Sequence, residues 1–499
     1  MSCRQSLARI LYHGAAIDPA ATAVTNAADR ISYAAVIDRV ESAATALREI
    51  LPAPGGRVSL CAGNSPDHLI AYLAILISGF VWVPLNPANG RALNTRIISK
   101  AKPDLMLVDR ASINQVPRTD RLRELETLCA EARAFEATHA SGDDVAAIKF
   151  TGGTSGEPKG VIQTHGNMLA VIENMQAFYQ FNSADCNLAV APLTHGSSHF
   201  VFPVLGAGGR HRFLPDRSAA AILAAMREDT TITFMPPTLI YKLLQTPGLS
   251  PQQFPRLRHL TYSAAPMPSD KIVETQRVFG PRISSLYGQT EAPVTICALG
   301  VDEMQDAALR GTAGRPCKNS KVRVVDDKDA EVAAGVTGHI EVTGPIVMRA
   351  YLDEPELTAA TMHDGWLRTG DMGSLDRAGN LTLCGRASEV IITGGFNVYP
   401  AEIENVLATL PGVRDCCVYG TDDSYWGERI EAAIVSDAGC EMSEAQILTL
   451  VREELGPVRT PKALHRIAAL PRNAVGKVVR RDIAGLVKSG GVQNDGQAV

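Results

Sequence analysis

Strand-like and helix-like segments alternate along the first part of this 499-residue chain. Helical spacing runs from Tyr33 to Leu51, and short apolar strand patterns follow at Arg57–Leu60, Asp104–Val108 and Val145–Phe150. Strands that alternate with helices are typical of βα units, which pair into parallel sheets. The alternation therefore predicts an α/β fold for this part of the chain.

A run of 17 residues without a charged side chain, Leu69–Leu85, raises the question of a membrane span. A transmembrane helix needs about 18 or more such residues. Gly79 interrupts the run, so we interpret Pro66–Ser78 as a buried helix and Phe80–Val83 as a buried strand. No stable membrane insertion is expected, and Met1–Asn26 has no uninterrupted apolar segment of the kind found in secretory signals.

Charge and cysteine content narrow the class of protein. With 48 basic and 53 acidic side chains the net charge is −5, which argues against nucleic-acid binding through bulk charge. The ten cysteines include no C-x-x-C pair, as a zinc ribbon or a redox motif would require. Free thiols in a reducing cytosol are the expected state.

The remaining segments predict further structure. Arg118–Glu136 is highly charged and predicts a surface helix, whereas Lys321–Val325 and His339–Thr343 alternate as strands and suggest a small β-barrel. A new unit begins after Arg386, with a strand at Glu389–Thr393. Further on in that unit we expect a helix, two strands and another helix, listed as Pro400–Leu410, Cys416–Tyr419, Glu431–Ser436 and Ser443–Leu455.

A glycine-rich loop follows the strand at Val145–Phe150. Its sequence, Phe-Thr-Gly-Gly-Thr-Ser-Gly-Glu-Pro-Lys-Gly-Val, fills residues 150–161. Glycines let main-chain N–H groups approach a phosphate closely, and the hydroxyl groups and Lys159 add hydrogen bonds and charge. The loop is not a Walker A motif, and by itself it indicates either polyphosphate binding or a flexible surface turn.

Five motifs in order along the chain resemble the adenylate-forming superfamily, which includes acyl-CoA synthetases and peptide-synthetase adenylation domains. The first is the glycine-rich loop. The other four are Tyr287-Gly-Gln-Thr-Glu-Ala, Gly365-Trp-Leu-Arg-Thr-Gly-Asp-Met-Gly, Gly385-Arg386 with Gly394-Gly-Phe-Asn-Val-Tyr-Pro-Ala-Glu-Ile-Glu, and Pro471-Arg-Asn-Ala-Val-Gly-Lys. The resemblance spans residues 30–485 and implies ATP, Mg²⁺ and coenzyme A as reactants and cofactor.

The resemblance also implies a fold and a domain organisation. A large N-terminal domain, residues 1–387, would contain two α/β subdomains and the β-barrel. Ser388 would be the hinge to a small, mobile α+β C-terminal domain, residues 389–487, followed by a flexible tail at 488–499.

The resemblance implies a set of residues that bind ATP and its metal ion. Tyr287 would stack on adenine, Asp371 would accept the ribose hydroxyls, and Arg386 would donate to ribose or phosphate. Thr290 would donate to phosphate, and Glu291 would ligate Mg²⁺. Taken alone, Tyr287 fits a core aromatic, Asp371 a turn residue and Arg386 a surface ion pair. The full ATP-binding set is Thr151, Gly152, Gly153, Thr154, Ser155, Gly156, Lys159, Ala264, Ala265, Tyr287, Gly288, Gln289, Thr290, Asp371, Arg386 and Lys477. Glu291 is the metal ligand, and the catalytic residues are Lys477, Thr290, Glu291 and His195.

Lys477 is the residue that the resemblance places between the substrate carboxylate and the α-phosphate. A cation there offsets the repulsion between two anions as they react. The residue lies in a basic segment with Arg472, Arg480 and Arg481, and such segments are usually solvated faces. Gly394, Gly395 and Phe396 would bind coenzyme A in the second half-reaction.

The acyl pocket is expected at His195–His199, Phe234–Tyr241 and Tyr262–Met267. The residues assigned to it are His195, as a gate beside the carboxylate, with Gly196, Ser197, Tyr262 and Ser263. His195 also fits a structural role, and the i,i+4 spacing of His195 and His199 lacks the glutamate of a zinc helix. The candidates are mostly apolar and no lysine or arginine is obviously placed to pair a second carboxylate, which favours a fatty or aromatic monocarboxylate.

Two departures from the family pattern stand out. Ser388 replaces the usual aspartate or lysine at the hinge, which puts charge-based control of the rotation in doubt, and Ala264 replaces a common glycine of the adenine wall. Glu291, Asp371 and Lys477 are retained, so catalysis is expected.

The sequence predicts an ATP-dependent carboxylic acid–CoA ligase. One alternative is a stand-alone adenylation enzyme that loads a carrier protein, and another is a catalytically silent nucleotide-binding protein. A homodimer is left open.

Overall fold

The computed structural model describes the chain except for residues 1–5, 28, 129–134, 139, 153–156, 438–441, 473–477 and 489–499. The described chain falls into two compact units. The first comprises residues up to 264 together with 274–322 and 342–367, and the second comprises 265–273, 323–341 and the residues from 368 onward. The helices are α1 (Leu7–Ile17), α2 (Tyr33–Ile50), α3 (Pro66–Ile77), α4 (Gly90–Ala101), α5 (His165–Tyr179), α6 (Val201–Gly206), α7 (Ala219–Glu228), α8 (Pro237–Leu244), α9 (Ser269–Phe279), α10 (Pro355–Thr361), α11 (Pro400–Thr409), α12 (Glu444–Leu455) and α13 (Ile483–Lys488).

A nine-stranded sheet lies in the first unit. Its strands are β1 (Thr22–Asn26), β2 (Asp29–Ser32), β9 (Cys186–Leu188), β10 (Arg210–Phe213), β11 (Ile232–Met235), β12 (His259–Tyr262), β13 (Ile283–Gln289), β14 (Ala292–Leu299) and β15 (Arg315–Pro316). They are arranged in the order β15-β14-β13-β12-β11-β9-β10-β1-β2. The six strands from β13 to β1 are parallel, and antiparallel strands close both edges.

A seven-stranded sheet completes the first unit. Its strands are β3 (Arg57–Cys61), β4 (Val81–Leu85), β5 (Leu105–Val108), β6 (Leu122–Glu124), β7 (Val145–Gly152), β8 (Pro158–Thr164) and β18 (Ala350–Tyr351). They run in the order β18-β8-β7-β4-β3-β5-β6, and β7, β4, β3, β5 and β6 are parallel. Two largely parallel sheets with helices agree with the α/β fold predicted from the alternating pattern.

Two smaller sheets follow. One contains β16 (Lys321–Val325), β17 (Gly338–Thr343), β19 (Met362–His363), β20 (Trp366–Leu375) and β21 (Leu381–Arg386), where a small barrel was predicted. The other contains β22 (Ile391–Thr393), β23 (Phe396–Val398), β24 (Val413–Asp423), β25 (Gly427–Ser436) and β26 (Ala463–Arg466), and its apolar face packs against α11 and α12.

Helix α3 occupies most of the uncharged run. Ser65 caps its N-terminus by accepting a hydrogen bond from the His68 main-chain N–H at 3.1 Å, and Pro66 takes the first helical position. Gly79 follows the helix with a φ of +76°, and β4 begins two residues later. The helix-then-strand interpretation is confirmed, and no helix in the described ranges is long and apolar enough to cross a membrane.

The predicted surface helix at Arg118–Glu136 is wrong for its described part. Residues Leu122–Glu124 form β6, which pairs in parallel with β5, and a short 3₁₀ helix spans Leu125–Thr127. Leu125 is buried in the core. Main-chain bonding to the open edge of β5 and burial of Leu125 outweigh the local helical preference of the charged residues.

Seven cysteines lie in the described ranges, and none of them forms a disulfide. Burial raises the pKa of each of these thiols, to about 12 for Cys61, Cys186 and Cys317. A thiol with a raised pKa is less often ionised at neutral pH and therefore reacts slowly.

Candidate active site

The glycine-rich loop connects two antiparallel strands, β7 and β8. Thr151 pairs with Lys159 and Gly152 with Pro158, so both ends of the loop are fixed by the seven-stranded sheet. Gly153, Thr154, Ser155 and Gly156 lie outside the described residues. Thr151 and Lys159 are both partly exposed and lie side by side on neighbouring strands, as a phosphate-binding role for the pair requires.

Thr290 and Glu291 form the turn between β13 and β14. The Thr290 carbonyl accepts a hydrogen bond from Gln163 Nε2 at 2.8 Å, and the Glu291 carbonyl accepts one from the Met348 main-chain N–H at 2.7 Å. The Tyr351 hydroxyl donates to Glu291 Oε1 at 2.8 Å. Glu291 is 9% exposed, so its carboxylate is held in a fixed position rather than free in solvent.

Lys159 extends toward the same tyrosine, with its Nζ 6.0 Å from the centre of the Tyr351 ring. Tyr351 thus lies between Lys159, a predicted phosphate ligand, and Glu291, the predicted magnesium ligand. The sequence analysis missed Tyr351, because a tyrosine 60 residues from Glu291 carries no local signal.

The residues just before this turn are tightly packed. A Cβ added to Gly288 would lie 2.4 Å from the Val294 main-chain nitrogen, so only glycine fits there. Val294 has a φ of +45°, which is rare for a β-branched residue and marks backbone strain. Tyr287 is partly exposed at the end of β13, which does not fit the alternative of a core aromatic.

The predicted adenine wall follows β12. Tyr262 and Ser263 are buried, and burial raises the pKa of Tyr262 to about 12. Ala264 is exposed and has a φ of +73°, in the left-handed region that favours glycine. Ala265 is the first residue of the second unit.

The predicted acyl-pocket segment forms a short 3₁₀ helix, Gly196–Phe200, directly after His195. A Cβ on Gly196 would lie 3.1 Å from the Phe234 ring, so two predicted walls of the pocket are neighbours. Burial and the nearby Lys149 lower the pKa of His195 to about 4, which keeps it neutral at pH 7. Ser197 is buried, and the described residues contain no cluster of three or more metal-ligating side chains.

Lys149 is a buried lysine that the sequence analysis did not single out. It lies on β7 and is 5% exposed, with its Nζ 2.9 Å from His199 Nε2 and 3.4 Å from Ser198 Oγ. Burial lowers its pKa to about 7. A charged residue inside the apolar strand Val145–Phe150 was the signal that could have revealed it.

In the second unit, Asp371 and Arg386 face each other across β20 and β21. The Arg386 Nε atom lies 2.7 Å from Asp371 Oδ1, and an Arg386 guanidinium N–H donates to the Thr369 carbonyl at 3.2 Å. The Asp371 side chain is 13% exposed and the Arg386 side chain 36% exposed. The two predicted ribose-binding residues therefore form one ion pair.

Ser388 is exposed in the short 3₁₀ helix Ala387–Glu389. The Glu389 carboxylate lies 3.4 Å from Arg480 Nε, and Arg480 also binds Glu404 at 2.5 Å and the Val418 carbonyl. Lys477, the predicted catalytic lysine, lies outside the described residues.

Gly394 and Gly395 form the turn between β22 and β23, with φ values of +56° and +82°. The Gly394 main-chain N–H donates to the Trp426 carbonyl at 2.8 Å. Aromatic side chains are exposed around this turn, with Phe396 at 58%, Tyr425 at 82% and Trp426 at 39%. Exposed apolar clusters of this kind mark binding surfaces.

Comparisons with known proteins identify the family of the chain. Residues 11–352 match the model of the AMP-binding enzyme family, and residues 402–477 match the AMP-binding enzyme C-terminal domain. A medium/long-chain-fatty-acid–CoA ligase of Mycobacterium tuberculosis is 30% identical over 481 residues, which cover 90% of this chain and 84% of the relative. Indoleacetate–CoA ligase of Aromatoleum aromaticum is 30% identical over 495 residues, covering 95% and 96% of the two chains.

Among solved structures, ATP-bound MatB from Rhodopseudomonas palustris aligns with a TM-score of 0.89 at 29% identity and covers 97% of this chain and 99% of that one. The likeness confirms the mixed α/β fold with a large N-terminal and a smaller C-terminal part. The chain is therefore a member of the AMP-binding enzyme family and contains both its main and its C-terminal domain.

Proposed function

We propose that this protein is an ATP-dependent carboxylic acid–CoA ligase that forms an acyl-adenylate and then an acyl-CoA. The observation that carries the proposal is the near full-length similarity to relatives named as CoA ligases, one acting on fatty acids and one on indoleacetate. The mostly apolar acyl-pocket candidates favour a fatty or aromatic monocarboxylate as the substrate.

In the first half-reaction the carboxylate attacks the α-phosphate of ATP and displaces pyrophosphate. Thr151, Lys159 and the glycine-rich loop between them would hold the phosphates. The carboxylate is already ionised at neutral pH, so this step requires positioning and charge compensation rather than a general base. Tyr287 would stack on adenine, and Asp371, oriented by Arg386, would accept the ribose hydroxyls.

The residues present suit a magnesium ion. Glu291 offers carboxylate oxygens at a position fixed by Tyr351, and Mg²⁺ typically uses one or two carboxylates together with phosphate oxygens. When bound, Mg²⁺ would neutralise negative charge on the phosphate oxygens. Tyr351 would keep the Glu291 carboxylate in one orientation.

In the second half-reaction the CoA thiol attacks the acyl carbon of the mixed anhydride, loses its proton and displaces AMP. We assign CoA binding to Gly394, Gly395 and Phe396, where the exposed aromatic rings offer flat surfaces for the adenine of CoA. A rotation of the C-terminal domain about Ser388, which withdraws Lys477, is part of this proposal. We place the enzyme in the cytoplasm, as monomer or homodimer, and its free described thiols suit a reducing compartment.

Pyrophosphate release tests the proposal. Octanoate, phenylacetate and adipate would be supplied with Mg·ATP, with and without CoA, to the wild type and to Glu291→Gln. We expect release with a monocarboxylate, formation of the acyl-CoA when CoA is present, and a loss of roughly 100-fold or more in Glu291→Gln. No release with any acid would contradict the proposal, and thioester formation on a carrier protein but not on CoA would favour the carrier-loading alternative.

The lysine assignment has a separate test. We expect Lys477→Ala to lose about 100- to 1000-fold in pyrophosphate release. Lys242→Ala, at an exposed position of α8, is the matched control and should retain full activity. Undiminished release by Lys477→Ala would exclude the predicted role.

A further inference from the structure

Lys149 is a buried cation with no anionic partner in the described part of the chain. Its surroundings are His199 and Ser198 at hydrogen-bonding distance and the Trp82 ring, whose centre lies 5.2 Å from Nζ. No carboxylate in the described part of the chain forms an ion pair with it, and burial alone accounts for its lowered pKa. Burying an ammonium group without a counter-ion costs free energy of folding. A lysine at such a position is therefore a candidate for a functional role.

The neighbours of Lys149 supply donors and neutral groups rather than negative charge. Burial and the charge of Lys149 lower the pKa of His199 well below its ordinary value, so the ring is neutral and its Nε2 accepts a hydrogen bond from the ammonium. The Ser198 hydroxyl donates to the His195 carbonyl at 2.8 Å. The Trp82 Nε1–H has no acceptor among the described residues. Among the described residues, the surroundings of Lys149 thus supply positive charge and a hydrogen-bond donor but no anion.

Lys149 lies next to both the glycine-rich loop and the predicted acyl-pocket segment. It stands two residues before Thr151, where β7 enters the glycine-rich loop. It also touches the 3₁₀ helix that follows His195, and its charge reaches His195 itself. His195 and Gly196 are partly exposed, whereas Ser198, His199 and Lys149 lie buried beside them.

We propose that Lys149, held by His199 and Ser198, is the counter-charge that binds the substrate's own carboxylate before adenylation. The inference rests on the proposed function, since it needs a carboxylic acid as substrate. A carboxylate supplied by the substrate completes the ion pair for which the described residues offer no anion. The acid is then recognised by its charge, close to the strand end from which the glycine-rich loop begins. Lys149 is then a substrate-binding residue distinct from Lys477, which is predicted to bridge the carboxylate and the α-phosphate during the reaction.

The ionisation of Lys149 gives the inference a kinetic signature. The titratable groups placed against it are His195 and His199, and both have pKa values far enough below neutrality to stay uncharged there. Lys149 itself loses its proton near pH 7 in the free enzyme. Carboxylate binding should therefore weaken as the pH rises through about 7, and kcat/KM for the acid reports this pKa of the free enzyme.

The experiment compares wild type, Lys149→Met and Lys149→Arg by pyrophosphate release with octanoate or phenylacetate, whichever the wild type prefers. In Lys149→Met we expect KM for the acid to rise roughly 10- to 100-fold, as for a lost charged hydrogen bond, with KM for ATP within about twofold of the wild type. The fall of kcat/KM near pH 7 should disappear in Lys149→Met and move to higher pH in Lys149→Arg, because arginine stays protonated. Lys242→Met is the matched surface control.

Competition by the neutral amides octanamide and phenylacetamide supplies a second readout. The wild type should bind the acid much more tightly than the amide, and Lys149→Met should bind the two about equally. If the wild type releases pyrophosphate but Lys149→Met keeps its KM, its pH profile and its preference for the acid, the inference is wrong and the proposed function stands. If the wild type turns over no acid, the proposed function fails and this inference fails with it.

Discussion

The two units differ in whether a buried cation is paired with carboxylates. In the second unit, Arg480 is largely buried and is surrounded by the carboxylates of Glu389 and Glu404 and the carbonyl of Val418. In the first unit, Lys149 is more deeply buried and has only neutral neighbours in the described chain. The charge of Arg480 is balanced by carboxylates of the same unit, whereas Lys149 has no such partner among the described residues.

The backbone shows the same contrast. The turn at Gly394 and Gly395 uses positive φ values that glycine adopts without strain. Ala264, at the predicted adenine wall, adopts a φ of +73° with a side chain that disfavours it. Residue type matches the backbone conformation at Gly394 and Gly395 but not at Ala264. Such mismatches typically occur at functional sites.

The largest expected effect on stability is at Arg480. Arg480→Met leaves Glu404 and Glu389 without their cation, so we expect the free energy of unfolding to fall by roughly 3 kcal/mol. Urea unfolding of the full chain measures this loss. Arg481→Met, at a side chain that is 65% exposed, is the control and should change stability by less than about 0.5 kcal/mol. Equal stability of the two variants would show that the ion pairs of Arg480 do not stabilise the fold.

Lys149→Met should act in the opposite direction. Removing an unpaired buried charge is expected to leave the free energy of unfolding unchanged or to raise it by up to about 2 kcal/mol. Because its pKa is about 7 when folded and near 10.5 in the unfolded chain, the unfolded state binds more protons between these values, and wild-type stability rises with pH across that window. The advantage of Lys149→Met should be greatest below pH 7 and vanish above about pH 10.5.

The free energy of unfolding of wild type and Lys149→Met, measured at pH 6 and pH 9, tests this pH dependence. Lys242→Met is the control. A Lys149→Met variant that is clearly less stable than wild type at pH 6 would show that the lysine is a structural group after all.

Arg386 is an intermediate case, since it is paired but about one third exposed. Arg386→Met should cost less than about 1 kcal/mol of stability, as is usual for exposed ion pairs. It should raise KM for ATP by about tenfold, because Asp371 loses the group that orients it. Arg377→Met, at an exposed position, is the control. A large loss of stability with normal ATP kinetics would show that Arg386, like Arg480, has a structural role.

The smallest expected effect concerns Ala264. Ala264→Gly should raise the free energy of unfolding by about 0.5–1 kcal/mol, because the relief of the left-handed backbone exceeds the added freedom of the unfolded chain. Ala265→Gly, which has no positive φ to relieve, should instead lose about 0.5–1 kcal/mol. Thermal unfolding distinguishes the two. If both variants lose stability equally, Ala264 is not strained.

Local patterns in the sequence were sufficient for much of the fold. The alternation of strands and helices predicted the parallel sheets, and Ser65, Pro66 and Gly79 marked both ends of α3 because caps are local chemistry. The segment Arg118–Glu136 was assigned wrongly because β6 exists only through pairing with β5, and that pairing depends on residues distant in sequence.

The candidate site divides in the same way. The glycine-rich loop, Glu291 and Asp371 could be predicted as site residues because each sits in a recognisable motif. Tyr351 and the environment of Lys149 could not be found, because their roles arise from contacts between elements that are 50 or more residues apart. The positive φ of Ala264 was equally hidden, since alanine gives no sequence signal of a left-handed backbone.

The buried cysteines have a consequence for an enzyme whose second substrate is a thiol. Thiol–disulfide exchange requires a thiolate and access to a sulfur atom, and the described cysteines have raised pKa values and restricted access. The described cysteines therefore offer oxidised coenzyme A few reactive sulfur atoms, and they are not readily captured as mixed disulfides.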